Sequence, residues 1–100
     1  MTRSTNYYDD LIESFKKSPS DAAMYLEVVI EEGNPQMLRL ALKNVIEAHG
    51  GVHELSEAAK LQYEKLDFAL SESGCPELYN LASLLDTMGF HLAVTLKPNQ

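Results

Sequence analysis

Apolar positions recur three and four residues apart over most of the chain, and the interruptions fall at glycine and proline. In YYDDLIESF, Tyr8, Leu11, Ile12 and Phe15 stand at i, i+3, i+4 and i+7, a spacing that puts them on one face of a helix, and Ser18-Pro19 stops it. A second helix is expected from Ser20, an N-cap residue with Asp21 in the first turn, carrying Ala22, Leu26, Val29 and Ile30 inward until Gly33 ends it. Asn34-Pro35 starts a third, a capping side chain followed by proline at the first helical position. Its inward stripe is Leu38, Ala41, Leu42, Val45 and Ile46, before Gly50-Gly51 breaks the chain. Three shorter helices are predicted over residues 52–59, 62–73 and 76–88, the last ended by Gly89 as a left-handed cap.

The tail FHLAVTL has a different period. Phe90, Leu92, Val94 and Leu96 alternate with His91, Ala93 and Thr95, which predicts one short β-strand. A lone strand cannot satisfy its own edges. It pairs with a strand of a partner chain, pairs with its own copy across a two-fold axis, or packs on the helices as an extended tail; pairing between protomers, through Phe90, Leu92, Val94 and Leu96, is the expectation.

Length and composition narrow the picture. One hundred residues, 45% of them hydrophobic, suffice for one core, so residues 1–100 are read as a single domain. No apolar run approaches the roughly 18–20 residues of a membrane span, and MTRSTNYYDD lacks the apolar block of a signal peptide, so a cytoplasmic protein away from membranes is expected. The single Cys75 leaves no internal disulfide to form, which agrees with a reducing compartment. Eight basic residues face 15 acidic ones, so the long-range field repels nucleic acid and attracts a basic partner.

The order of segments is informative as well. Tyr25-Leu26 followed by IEEGNPQMLRLALKNVIEAHGG, then VHELSEAAKL, then ALSESGCPELYNLASLLDTMGFHLAV, resembles the addiction-module antidote proteins, HigA-like antitoxins of the XRE or lambda-repressor-like helix-turn-helix class. The resemblance extends over roughly residues 7–96 and is most specific at Gly33-Asn34-Pro35, Ala48-His49-Gly50-Gly51, ALSESG and LASLLDTMGFHLAV. It implies an all-α fold of about five helices. Residues 5–49 would form the N-terminal helices, two of them additional to the motif, residues 52–73 the helix-turn-helix, and residues 76–96 the last helix and strand. It also implies a function: a dimeric antidote that neutralises a small basic toxin of the RelE, ParE or HigB kind and represses their shared operon by binding operator DNA.

The chain departs from that pattern where DNA would be read. Family members usually carry glycine in the motif turn; here Lys60 stands there, at a cost of about 1 kcal/mol if a positive φ is kept. Where the reading helix usually has a small polar cap and arginine, then tyrosine and a base, this chain has Gln62, Tyr63, Asp67 and Phe68. Residues 52–96 hold two lysines against seven carboxylates. Phosphate neutralisation supplies much of the affinity of such motifs, so DNA recognition by the isolated chain is expected to be weak, with Lys60, Gln62, Tyr63 and Lys65 the residues left to do it. Tyr63, Asp67 and Phe68 are alternatively a protein-binding patch on a module that has lost DNA reading, since aromatics are enriched in interface cores, or Phe68 simply joins the core beside Leu66 and Ala69.

Other candidate chemistry is thin. His49 and His53 have the spacing of a helical metal pair, but Gly50-Gly51 lies between them and no HExxH or paired CxxC is present, so no metal or other cofactor is expected. Cys75 before Pro76 reads as a capping or packing residue where the family often has asparagine. No serine, histidine and acid arrangement points to an enzyme. Glu31-Glu32, Lys16-Lys17, Arg39 and Lys43 read as solvated faces, with Arg39 and Lys43 able to pair with Asn44 and Glu47 along their own helix.

Overall fold

The computed structural model describes residues 7–98, and these are helical throughout apart from turns and the tail. Five α-helices follow in order: α1 Tyr7–Lys17, α2 Pro19–Glu32, α3 Pro35–Ala48, α4 Glu57–Glu72 and α5 Pro76–Thr87, with one 3-10 turn at Val52–Glu54. No helix among them is long and apolar enough to cross a membrane.

The first three helices follow the apolar pattern closely. α2 starts two residues earlier than expected: Ser18, not Ser20, is its N-cap and Pro19 its first residue, because the fixed φ of proline suits that position and its missing N–H costs nothing there. At the head of α3 the Asn34 carboxamide oxygen accepts from the N–H groups of Gln36 (2.9 Å) and Met37 (3.3 Å). Gly33, at φ 74°, closes α2 by donating its N–H to the Ile30 carbonyl. α3 packs against α1, α2 and α4, and the core lies along it. Val29, Leu38, Ala41 and Leu70 are buried together, with Tyr25, Leu26, Ile30, Leu42, Leu66, Cys75 and Leu78 packed around them. Asn44 is buried on the same helix. Its carboxamide nitrogen has no partner among the described residues, and burial holds the Tyr25 phenol above the usual tyrosine range.

Residues 52–73 depart from the predicted helix, turn and helix. Residues 52–54 make only a 3-10 turn, and residues 57–72 form one uninterrupted helix with no turn at Lys60. Ser56 is its N-cap, its hydroxyl accepting from the Ala59 N–H at 3.1 Å, and the Lys60 N–H donates to the Ser56 carbonyl at 2.9 Å. The reason is local: lysine is a good helix former, no glycine stands nearby to end the first turn, and the cap at Ser56 starts a helix that Lys60 continues. The left-handed strain foreseen for Lys60 is therefore absent. Instead, Cys75, at φ 49°, is the non-glycine residue with positive φ among those described.

The tail is the second departure. Residues 90–98 form no strand; they run back along α2 without a neighbouring extended segment among the described residues. The Val94 N–H, which a sheet would give to a backbone carbonyl, donates to the Glu27 carboxylate at 3.1 Å, and His91 Nε2 lies 3.8 Å from the other Glu27 oxygen. The alternation of the sequence survives only at the middle of the tail. Leu92 and Val94 are half-buried while Phe90 and Leu96 stay exposed, and Val94, Thr95 and Leu96 border an apolar groove lined also by Phe15, Ala22 and Leu26.

Lys60→Gly is expected to lower stability by about 1 kcal/mol in urea unfolding, because glycine is costly inside a helix; a turn with positive φ at this position would give the opposite sign. Cys75→Val is expected to cost about 1–2 kcal/mol, since a β-branched residue resists the left-handed region, whereas Cys75→Asn should be tolerated, both read from the same unfolding midpoints.

Candidate functional site

Helix α4 presents two unlike faces. Towards α3 it turns Leu66 and Leu70, and beside them Tyr63 and Asp67. The Asp67 carboxylate accepts two hydrogen bonds from Arg39, from Nε at 3.0 Å and from Nη2 at 3.2 Å, while Arg39 Nη1 donates to Gln36 Oε1 at 3.1 Å. This fork-to-carboxylate pairing holds the Arg39 guanidinium above its ordinary pKa, with the Asp67 hydrogen bond as the main cause. Burial, then the Asp67 charge, likewise raises the Tyr63 phenol. Arg39 thus makes its ion pair across helices, with Asp67, while also donating to Gln36 on its own helix. Tyr63 and Asp67 line a recess with Gln36, Arg39, Leu40 and Lys43, a polar seam between helices whose best donor is already committed to Asp67.

The outer face carries Leu61, Gln62, Glu64, Lys65, Phe68 and Glu72, all exposed. Phe68 is 66% exposed, so it does not join the core beside Leu66 and Ala69. The reason is angular: positions 61, 65, 68 and 72 share one side of the helix, opposite Leu66 and Leu70. Lys60 is half-buried and pairs with Glu57 at 3.3 Å. The residues expected to touch DNA are therefore divided. Gln62 and Lys65 face solvent, Tyr63 turns to α3, and Lys60 is engaged by a carboxylate. Over its length α4 carries two lysines against four carboxylates, which disfavours a phosphate backbone.

Helix α5 supplies a surface that the sequence pattern did not single out. It buries no residue completely and leans on the body through Leu78 and Cys75, with Tyr79 next to Gly33. Its flank exposes Leu81, Leu84 and the C-cap Met88, and past Gly89 Phe90, at 47%, 57%, 54% and 60% of their surface. The cap itself is well made: the Phe90 N–H donates to the Leu85 carbonyl at 2.8 Å and the Gly89 N–H to Asp86 at 3.0 Å, with Gly89 at φ 87°. The i, i+3, i+7 spacing of 81, 84 and 88 is visible in the sequence. What the sequence conceals is that Leu78, Tyr79, Ala82 and Leu85 already provide the inward face.

Among the described residues no three histidine, cysteine, aspartate or glutamate side chains converge as metal ligands, and His53 lies 3.7 Å from Glu54 on an exposed turn. No protein-family model matches the chain, and neither a curated protein nor a solved structure does.

The two faces of α4 should separate in stability measurements. Leu70→Ala is expected to cost about 2–5 kcal/mol, as a buried leucine does, while Phe68→Ser should shift the unfolding midpoint by less than about 0.5 kcal/mol.

Proposed function

We propose that the chain is the antidote half of a toxin–antitoxin pair and acts as an acidic protein-interaction module, neutralising a small basic toxin of the RelE, ParE or HigB kind by direct contact. The observation that carries this is the pairing of exposed apolar side chains on α4 and α5 with a surrounding surface rich in carboxylates, a combination suited to a basic protein and unsuited to a phosphate backbone. The resemblance of ALSESG and LASLLDTMGFHLAV to the addiction-module antidotes supplies the class of partner.

The continuous α4 supports the protein-directed reading further. A helix-turn-helix needs a break that tips the reading helix into the major groove, and α4 has none between Glu57 and Glu72. Gln62 and Lys65 nevertheless remain in solvent, so operon repression is assigned to the complex, in which the toxin contributes the positive charge that this chain lacks.

Co-expression with a small basic toxin found encoded beside this chain is expected to restore growth and to yield a co-purifying complex. Fluorescence anisotropy of the isolated, folded protein should show no binding to its own upstream DNA above a scrambled control at two salt concentrations. Specific, salt-sensitive DNA binding by the isolated chain, with no rescue of growth, would overturn the proposal in favour of a simple repressor.

A further inference from the structure

Helix α5 is apolar over a wider arc than the described chain covers. Leu78, Tyr79, Ala82 and Leu85 face the body, half-buried, while Leu81, Leu84, Met88 and Phe90 continue that face as an exposed flank. An apolar arc wider than the face a surface helix buries leaves a flank for a further neighbour to cover. The charges around it say which kind. Glu77 stands on the same side of α5 as Leu84, Asp86 lies across the helix beside Tyr79 and Ala82, and from residue 66 to residue 96 the chain carries no lysine or arginine, while Asp67 is already met by Arg39. Two copies apposed through α5 would bring their Glu77 carboxylates to the contact with no lysine or arginine of residues 66–96 to meet them, in a protein whose net charge is already −7. A basic partner removes that penalty and gains attraction as apolar surface is buried.

We propose that the Leu81, Leu84, Met88 and Phe90 stripe of α5 is the docking surface for a basic partner protein, which meets it with an apolar helix face rimmed by lysine and arginine. This rests on the antidote reading and names the surface through which that partner is held. Leu84, at the middle of the stripe, is the anchor; Glu77 and the acidic balance of the chain steer the approach and set the salt dependence of the on-rate.

The probe is a labelled synthetic helix of about five turns, built of leucine and lysine with leucines at i, i+3, i+4 and i+7, together with its glutamate counterpart. Anisotropy titration with the full chain is expected to show binding of the lysine peptide and none of the glutamate peptide. Leu84→Glu should weaken binding by about tenfold or more although it adds a negative charge, and Leu81→Glu should act likewise; both sites are exposed enough for folding to be retained. Met24→Glu, which places the same charge on exposed α2, should not weaken it. If Leu84→Glu binds the peptide as tightly as the parent or more tightly, attraction is by charge alone and the docking surface is refuted. If sedimentation shows a dimer that Leu84→Glu splits, a second copy covers the stripe and the proposal is equally refuted. Growth rescue separates the two levels: a Leu84→Glu protein that neutralises the toxin fully sinks this surface but leaves the antidote reading intact, while peptide binding without rescue by the parent protein sinks only the antidote reading.

Discussion

The burial of one face of α3 is the constraint from which the remaining architecture follows. Leu38 and Ala41 are closed off against Val29 of α2 and Leu70 of α4, and Ala41, with no exposed surface, lets neighbouring backbones approach where a larger side chain would hold them apart. Once α3 is clamped between α2 and α4, the outward faces of those helices are settled too. Leu70 and Leu66 must point at α3, so Leu61, Lys65 and Phe68 must point away. The Arg39–Asp67 fork reinforces the same orientation from the polar side, because a planar guanidinium that meets both carboxylate oxygens fixes the rotation of α4 about its axis.

Helix α5 stands outside that clamp. Its anchor is Leu78 with Cys75 at the start of the helix, and Cys75 accepts a left-handed backbone so that the chain can turn from α4 into α5 within a few residues. The arrangement leaves one long apolar flank uncovered, a thermodynamic liability in an isolated monomer and an asset in a protein that has a partner. On the proposed reading the acidic balance and the apolar flank would be complementary in effect: the first would speed encounter with a cation-rich protein, and the second would supply the area that makes a complex last.

The tail illustrates how one pattern admits two structures. Period-two alternation in FHLAVTL specifies which side chains share a side, and Leu92 and Val94 do share the side that meets the helices. It does not specify a backbone partner. With no extended neighbour among the described residues, the Val94 N–H takes the Glu27 carboxylate, a single side-chain acceptor in place of a ladder, and the segment stays a coil.

What the sequence determined by itself was local. The closures at Gly33 and Gly89, the cap at Asn34 with Pro35, the inward stripes of the first three helices and the acidic balance all depend on residues within a turn or two of one another, where steric preference and spacing act directly. The fusion of residues 57–72 was equally local in cause, since Ser56 and Lys60 favour it, but the likeness to a two-helix motif pointed to a turn that these residues do not make. Only the tertiary structure decided that Asp67 meets Arg39, that Phe68 lies outside the core, and that α5 keeps a bare flank. Those outcomes rest on contacts between residues far apart in the chain, 28 positions for Arg39 and Asp67 and 67 for Glu27 and Val94, and a helical period says which residues share a face without saying which face finds a neighbour.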